Sequence, residues 1–561
     1  MELLGCLIWL LAGVGVFIVG MNFMGEALEK SAGSGMKKFL GKISNNRFSG
    51  LGVGAGVTAI IQSSSATSVM VIGLVSAGVM TLMQATPILL GANIGTTVTG
   101  LLVSLKNDYF NMLMYLFAFA GIMMGFSKKE KTKLLGTLIG GLGLIFVGLE
   151  IMGSEGAFRN PLILDMFRKA SEAVMTGGLH HVAPLLLILI GIFFTALIQS
   201  SSAATGVIIT MVGAGAIELE LAIFLVIGAN VGTCVTALLA AVGGKTDAKR
   251  IALIHLTFNA IGAVLFTAAM WIFKDDMVRL LTSIFPKDNT MSVQMRVSLF
   301  HVIFNVTNAL IMLPFVKQLV SFSRLVIKDR NADSEARSLR FVDDHLLAMP
   351  HVALGQVKKE MDYMLGLVEE NIYLSFEALE NRSKEHYLTI AENEAIIDYT
   401  NGALTRFLIK LSSTIEGSDE AIVGSYFHVL NDLERIGDHA ENFYEIGAEM
   451  SDKELTFSDT AVDEIKGMCG VVSQMFEISK DAFENINSEN LHKLLELEEQ
   501  VDEMKKALTA RHFARLAEGQ CSVDHSPYFS STVAGLERVA DHLINVGYSI
   551  VNPIGSEKEH A

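Results

Sequence analysis

The chain has 561 residues, of which 51% are hydrophobic and 18% charged, and its mean hydropathy is +0.45. This composition excludes an ordinary soluble protein, because apolar runs such as residues 3–24 are long enough to cross a bilayer. Basic residues outnumber acidic ones in residues 1–330, whereas acidic residues clearly outnumber basic ones in the remainder. We therefore expect a polytopic unit in the lipid bilayer, followed by an acidic helical unit with no affinity for nucleic acid.

Hydropathy predicts full membrane spans and two interrupted apolar stretches. The interrupted stretches, 50–80 and 182–214, are expected to form re-entrant hairpins. The basic clusters between spans share the cytoplasmic side if the N-terminus lies outside. The odd number of spans then places the acidic unit in the cytoplasm and the protein in the cytoplasmic membrane. The predicted spans are 3–24, 83–104, 110–127, 134–153, 219–241, 250–272 and 296–318.

The membrane part contains an internal repeat. The string IQSSSATS from Ile61 recurs as IQSSSAAT from Ile198, and GANIGTTVT from Gly91 recurs as GANVGTCVT from Gly228. Three full crossings precede the second copy, so the second copy starts on the opposite face of the membrane. The sequence therefore predicts two repeats of inverted topology.

Each Gln-Ser-Ser-Ser string is costly in hydrocarbon unless protein, water or a ligand satisfies its polar groups. We expect each string at the tip of a broken helix, where first-turn N–H groups and the helix dipole bind an anion such as phosphate. Carbonyl and side-chain oxygens at the same tip suit sodium. The spans offer dipoles, hydroxyls and amides rather than Lys or Arg, which favours cation-coupled transport over an anion channel. The alternative is that the hydroxyls only pack helices together.

The duplicated strings, each followed by a GAN-G-T segment, resemble the type II sodium-dependent phosphate cotransporter family over residues 1–320. The resemblance implies sodium-coupled symport of inorganic phosphate. Weaker candidates flank the strings, at Thr67 and Thr205. The GAN-G-T segments offer either close helix packing or further site oxygens, from Asn93, Thr96, Thr97, Thr99, Asn230, Thr233 and Thr236. The implied ligands of phosphate and sodium are Gln62, Ser63, Ser64, Ser65, Gln199, Ser200, Ser201 and Ser202.

The acidic half has the periodicity of amphipathic helices and no strand-like alternation. DLERIGDHAEN from Asp432 is repeated as GLERVADHLIN from Gly535, which predicts two consecutive three-helix bundles. The predicted helices lie near 352–381, 384–411, 418–450, 457–486, 488–517 and 525–553. The predicted divisions of the chain are 1–130 for the first repeat, 131–325 for the second repeat with the final membrane helix, 326–348 for a linker and 349–555 for the acidic domain.

Two E-x-x-x-D pairs occur in each predicted bundle. Carboxylates four residues apart share a helix face and repel each other. Either a solvated acidic surface or a site for a divalent or iron-like cation accounts for them. The candidate metal ligands are Glu394, Asp398, Glu434 and Asp438 in the first bundle, and Glu498, Asp502, Glu537 and Asp541 in the second.

This half resembles the PhoU family of phosphate-transport and phosphate-signalling regulators over residues 345–553. The match is strongest at LERIGDHAEN, while LERVADHLIN departs from it, so metal binding is less expected in the second bundle. The resemblance implies a cytoplasmic domain that regulates transport, with a homodimer and a signalling partner protein as further expectations. The alternative is a membrane-tethered phosphate-signalling or metal-sensing regulator without transport. We expect no enzyme and no catalytic residues, because neither a phosphate-binding loop motif nor a nucleophile elbow occurs.

Overall fold

The computed structural model describes residues 2–41, 46–105, 108–176, 182–242, 244–328, 339–381, 384–415 and 418–549. The chain divides into two compact units, Met1–Asp329 and Arg330–Ala561, which we call the membrane unit and the acidic unit. Within the described ranges both units are built from helices, and no strand occurs. The predicted all-α fold class is therefore confirmed. Residues 329–338 of the predicted linker and residues 550–555 lie outside the described residues.

The described part of the membrane unit is a set of α-helices with short connections. They are α1 (Glu2–Gly41), α2 (Arg47–Ile61), α3 (Ser64–Ser76), α4 (Leu82–Val103), α5 (Asp108–Gly125), α6 (Glu130–Met152), α7 (Pro161–Thr176), α8 (Ala183–Ile198), α9 (Ser201–Gly213), α10 (Leu219–Gly232), α11 (Cys234–Ala240), α12 (Thr246–Ile284), α13 (Thr290–Met312) and α14 (Val316–Val326). A short 3₁₀ turn, Leu313–Phe315, joins the last two. The short helices α2 and α3 form one consecutive pair, and α8 and α9 form another.

Six helices or helix pairs of the described chain are long and apolar enough to cross a bilayer. They lie in α1, α4, α6, α10 with α11, α12, and α13 with α14. Six of the seven predicted spans coincide with them, and the seventh lies on α5, which has 18 residues. The protein is therefore a multi-pass membrane protein, as predicted. Helix α12 is longer than the predicted span, since it continues through a kink at Phe273 to Ile284.

Equivalent helices of the two repeats pack against each other in opposite directions. A Cβ added to Gly13 of α1 would lie 2.9 Å from the backbone nitrogen of Met152, near the end of α6. A Cβ added to Gly20, two turns later in α1, would lie 2.6 Å from the nitrogen of Ile145, earlier in α6. Contacts that advance along one helix and retreat along the other require antiparallel axes. The two homologous helices thus have the inverted relation that the repeat predicts.

Glycine faces hold the short helices against their neighbours. Gly91 of α4 approaches the carbonyl oxygen of Leu51 in α2, where an added Cβ would lie at 2.0 Å. In the second repeat Gly228 of α10 approaches the carbonyl oxygen of Ile188 in α8, at 2.2 Å from an added Cβ. Close helix packing is therefore one role of the duplicated GAN-G-T segments.

The acidic unit consists of six helices whose order agrees with the predicted pair of bundles. The helices are α15 (Pro350–Asn381), α16 (Tyr387–Ser412), α17 (Ser418–Asp452), α18 (Asp459–Asn485), α19 (Leu491–Ala517) and α20 (Ser526–Ser549). Helices α15 to α17 pack together, as do α18 to α20, and α17 packs against α20. Buried aliphatic and aromatic residues, including Val429, Leu433 and Leu536, fill the helix faces that meet. This packing places the two LER strings on neighbouring helices.

The backbone contact between α2 and α4 is testable with one methyl group. A Cβ at Gly54 would lie 2.0 Å from the carbonyl oxygen of Ile88. Neither backbone can yield without separating the helices, and overpacking of this kind costs about 1–3 kcal/mol. We expect Gly54→Ala to lower the melting temperature of the full chain in detergent.

Two glycines of the same helix serve as matched controls. A Cβ at Gly52 or Gly56 would meet nothing within 4 Å in the described part of the chain. Alanine is also the better helix former. Gly52→Ala and Gly56→Ala should therefore melt at or slightly above the wild-type temperature. If Gly54→Ala melted with these two variants, the close approach of α2 to α4 would be wrong.

Candidate functional site

The first Gln-Ser string separates α2 from α3. Gln62 adopts a left-handed conformation, with φ 60° and ψ 22°, and ends α2. Ser63 is extended and caps α3, because its Oγ accepts a hydrogen bond of 3.1 Å from the backbone nitrogen of Ala66. The next residues, Ser64 and Ser65, form the first turn of α3, whose N–H groups have no acceptor within the helix. Two backbone donors and the positive end of a helix dipole thus lie at the string.

The second string has the same local geometry. Gln199 has φ 60° and ψ 22° and ends α8, as its counterpart ends α2. Ser200 caps α9 by accepting a hydrogen bond of 3.2 Å from the nitrogen of Ala203. Ser201 and Ser202 then form the first turn of α9. The predicted breaks therefore lie at equivalent residues of the two repeats, with the left-handed residue and the cap reproduced.

Two threonines at the ends of the GAN-G-T segments connect the repeats. Thr99 donates a hydrogen bond of 2.8 Å to Oε1 of Gln62, and Ser202 Oγ lies 3.4 Å from Thr99 Oγ1. The equivalent contact occurs on the other side, where Thr236 Oγ1 lies 3.4 Å from Ser65 Oγ. Both strings therefore belong to one hydrogen-bonded group that draws on both repeats.

The site lies in a buried setting. Ser64, Ser201 and Ser202 are all less than a tenth exposed. Gln62 is half-buried, whereas Gln199 is exposed. Buried hydroxyls and backbone donors therefore dominate the serine turns, while the glutamines lie toward more open space.

Arginines in the spans are held away from this group. The sequence prediction that the spans carry no Lys or Arg is wrong for Arg250 and Arg296, which lie in α12 and α13, and for Lys317, which lies in α14. Arg250 donates to the carbonyl oxygen of Ile327, and Arg296 donates to the carbonyl oxygen of Phe285. Both guanidiniums also pair with nearby aspartates. These arginines tie chain segments together by backbone carbonyls, at contacts separate from the Gln-Ser group.

The flanking threonines differ from each other in position. Thr67 Oγ1 donates to the carbonyl oxygen of Ser63 at 3.1 Å and accepts from Thr58 at 3.0 Å, so it strengthens the first hairpin. The residue equivalent to Thr205 is Ser68 rather than Thr67. Both the Ser68 and the Thr205 hydroxyls are buried, and neither has a hydrogen-bond partner in the described chain. The equivalent pair that flanks the strings is therefore Ser68 and Thr205.

The other predicted residues of the GAN-G-T segments bond mainly within helices. Thr96 and Thr233 donate to carbonyl oxygens one turn back in their own helices, at 3.2 and 3.1 Å. Asn230 does the same, whereas Asn93 donates a 2.7 Å hydrogen bond to Asn259 of α12. The segments contact the strings through their last threonines, Thr99 and Thr236. The sequence feature that points to these two threonines is their equivalent position at the ends of a duplicated segment.

In the first bundle of the acidic unit, carboxylates crowd between α16 and α17. Burial, together with the charges of Asp398 and Asp438, raises the pKa of Glu394 to about 8. Both carboxylate oxygens of Glu394 are buried without a hydrogen-bond partner among the described residues. The pKa of Glu434 is raised by burial and by Asp438. Glycine permits this crowding, because a Cβ at Gly437 would lie 2.9 Å from Oε2 of Glu394.

The second bundle places its four carboxylates differently. Glu498 is only half-buried, and burial and Asp502 raise its pKa. Lys505 pairs with Glu537 at 2.7 Å, so a lysine partly neutralises this group. The residue equivalent to Gly437 is Ala540, which is fully buried. In the described ranges of either bundle, no three His, Cys, Asp or Glu side chains form a ready metal site.

The buried carboxyl in the first bundle predicts a pH dependence. The folded chain holds a proton on Glu394 up to about pH 8, while the unfolded chain releases it near the ordinary value of 4.5. Stability therefore falls as pH rises through this interval, since the folded state binds more protons. We expect Glu394→Gln to flatten that fall in thermal melts of the full chain with chelator present.

Glu392 provides the control, because it is exposed on the same helix. Glu392→Gln should keep the wild-type pH dependence. Gly437→Ala should weaken the dependence by moving the Glu394 carboxylate outward. Equal slopes for wild type and Glu394→Gln would contradict the assignment.

Comparison with known proteins agrees with this architecture. A family model described as Na+/Pi-cotransporter matches residues 16–154 and 163–285, and one described as PhoU domain matches residues 362–447 and 465–550. The chain is 31% identical over 317 residues to the uncharacterized protein YqeW of Bacillus subtilis, covering 55% of this chain and 95% of that protein. No solved structure matches.

Several relatives have names that mention phosphate. The "putative inorganic phosphate export protein YjbB" of Escherichia coli is 24% identical over 556 residues, which is 97% of each chain. "Sodium-dependent phosphate transport protein 2C" of Mus musculus is 46% identical over 85 residues, which is 14% of each chain. With paired broken hairpins in an inverted repeat and two helical bundles after them, the chain belongs to the Na+/Pi-cotransporter family and carries PhoU domains at its C-terminal end.

Proposed function

We propose that the protein is a secondary active transporter that couples the movement of inorganic phosphate to sodium. The observation that carries this proposal is the hydrogen-bonded group of Gln62, Thr99 and Ser202, which joins the two Gln-Ser strings across the repeats. Membership of a cotransporter family supports sodium as the coupling ion.

We propose that phosphate binds at the serine turns. The first turns of α3 and α9 supply backbone N–H donors and the positive ends of helix dipoles. Buried hydroxyls at Ser64, Ser201 and Ser202 add further donors. In a buried setting these fixed dipoles attract an anion more strongly than they would in water. The proposed phosphate ligands are thus the serines of both strings together with these N–H groups.

We assign sodium to the oxygen atoms of the same group. The last carbonyls of α2 and α8, the Gln62 and Gln199 amide oxygens and the serine hydroxyls are hard ligands of the kind that sodium prefers. Phosphate carries more negative charge than helix dipoles balance, so bound sodium lowers the cost of burying it. Each ion then increases the affinity for the other, which is the linkage that a symporter requires.

The acidic unit is proposed to regulate this transport from the cytoplasmic side. PhoU domains at its two bundles support a phosphate-linked role. We propose that the first bundle holds a divalent or iron-like cation with Glu394, Asp398, Glu434 and Asp438, because the unpartnered buried carboxylate oxygens of Glu394 fit such a group. A bound cation would add to the positive charge of Arg435, which lies 3.8 Å from Glu434 and 3.7 Å from Asp438. Residues 1–130, 131–325 and 349–555 are the proposed divisions.

The transport proposal is tested with radiolabelled phosphate and purified protein in liposomes. We expect flux in the direction of an imposed sodium gradient and little flux when potassium replaces sodium. Reversing the gradient should reverse the flux. Once the orientation of the protein in the liposomes is determined, the direction of the flux distinguishes uptake from export. Flux that ignores sodium would exclude coupling, and no flux from well-folded protein would favour the signalling alternative.

The serine hydroxyls are tested by single substitutions. Ser201→Ala removes one buried donor, and a hydrogen bond to a charged group contributes roughly 1.5–3 kcal/mol. We expect an apparent phosphate affinity about 10- to 100-fold lower, measured as KM for uptake, and the same direction for Ser64→Ala. Thr210→Val is a control, because its hydroxyl bonds only its own helix, at Gly206. Wild-type KM in both serine variants would contradict the site.

The metal proposal is tested by metal content. Full-length protein purified with iron or manganese should retain metal that Glu394→Gln and Asp438→Asn lose. Glu392→Gln, on the exposed face of α16, should retain it. Equal metal content in all of these proteins would remove the first-bundle assignment.

A further inference from the structure

A cavity of about 250 Å³ lies in the second bundle of the acidic unit, apart from the carboxylate groups. It is enclosed by the start of α18, the end of α19 and the short connection that leads to α20. Its volume is below the range of about 300–1,000 Å³ typical of sites for drug-sized molecules. The cavity therefore suits a small solute.

Hydrogen-bond donors dominate the wall of this cavity, and no Asp or Glu lines it. The basic side chains are Arg515, His512 and His525. Hydroxyl groups come from Ser458 and from Ser522, whose Oγ also donates to the carboxylate of Asp524 at 3.2 Å. A wall with several donors and no carboxylate favours an anion.

The arginine leaves part of its donor capacity unused. Glu464 accepts from both Arg511 and Arg515, each at 2.8 Å, so two guanidiniums share one carboxylate. Nε of Arg515 is buried and has no hydrogen-bond partner in the described chain. An unsatisfied buried donor of a charged group is costly unless a ligand or water completes it.

The histidines supply a second unsatisfied position. His512 is 3% exposed and stacks on Phe529 with ring centroids 4.5 Å apart, while its Nε2 lies 3.0 Å from Ser526 Oγ. Nδ1 of His525, in contrast, is buried and unpartnered within the described ranges. Ser458 caps α18, so first-turn N–H groups of a 27-residue helix border the same space. Donors on three elements thus converge on one cavity.

We propose that this cavity binds a small oxyanion of the phosphate class. Arg515, His525 and the start of α18 would hold its oxygens, as charge-assisted hydrogen bonds and helix N-termini hold such groups elsewhere. A feedback role for the site depends on the proposed transport function, because the transported solute and the bound anion share one chemistry. Binding itself does not depend on transport.

Cys521 provides a direct readout, because its thiol is half-buried in the cavity wall. Full-length protein in sodium-free detergent buffer is treated with iodoacetamide, and alkylation of Cys521 is followed by mass spectrometry of its peptide. Potassium phosphate is compared with potassium chloride at equal ionic strength. We expect phosphate to slow alkylation several-fold with a saturating dose dependence. Cys469, which lines a different cavity, should keep its rate.

Variants and a second solute complete the test. His525→Ala should abolish protection, whereas Val523→Ala, a substitution at an exposed neighbour outside the wall, should preserve it. Protection by inorganic phosphate or by glycerol phosphate supports the phosphate class. Comparison of the two solutes then distinguishes the free ion from a phosphorylated metabolite. Identical alkylation rates in phosphate and chloride, or equal slowing at both cysteines, would overturn the proposal.

The same assay separates this site from the transport site. Ser201→Ala should lose transport affinity and keep phosphate protection of Cys521. Failure of sodium-driven flux with protection retained would contradict the proposed function alone. Sodium-driven flux without protection would contradict the cavity alone.

Discussion

The membrane unit depends on one constraint, which is that a helix broken inside a bilayer must find hydrogen-bond partners within the protein. The breaks at Gln62 and Gln199 leave amides, hydroxyls and first-turn N–H groups in an apolar body. Part of this demand is met across the repeats, through Thr99 to Ser202 and Thr236 to Ser65. Neither broken hairpin is complete without the other repeat. The first-turn N–H groups of α3 and α9 and the buried serine hydroxyls are the groups to which we assign phosphate and sodium.

The GAN-G-T segment links this chemistry to helix packing. Its first glycine brings α4 against the backbone of α2, where Gly91 meets Leu51, and the same contact recurs in the second repeat. Two turns later the same helix presents Thr99 to the Gln-Ser group. The distance between a close-packed glycine and a polar contact is fixed by helical rise, about 1.5 Å per residue. A shift in the packing would therefore move the threonine away from both strings.

Sequence patterns predicted the helices, the two breaks and the inverted relation, because hydropathy and duplication are local and repeat-level signals. They did not single out Thr99 and Thr236 over Thr96 and Thr233, since only the packed structure shows which side of α4 meets the strings. The two flanking candidates Thr67 and Thr205 are not equivalent in the repeat, because the offset of the strings pairs Thr205 with Ser68. Arg250 and Arg296 were overlooked because each is the first residue of its predicted span, where the hydropathy of the whole span conceals a single charge.

The acidic unit shows how one duplicated string acquires two environments. Gly437 leaves room for the Glu394 carboxylate among like charges. In the second bundle the equivalent residue is Ala540, and Lys505 pairs with Glu537, so the repulsion between carboxylates is weaker there. Burial of an unpaired carboxylate is unfavourable for folding alone, so the first bundle gains most from a bound cation. The second bundle instead gathers donors at the far ends of its helices, around Arg515. With the two proposed sites, the acidic unit would respond to two different solutes, a cation at its first bundle and an anion at its second, because the helices of each bundle leave different polar groups without partners.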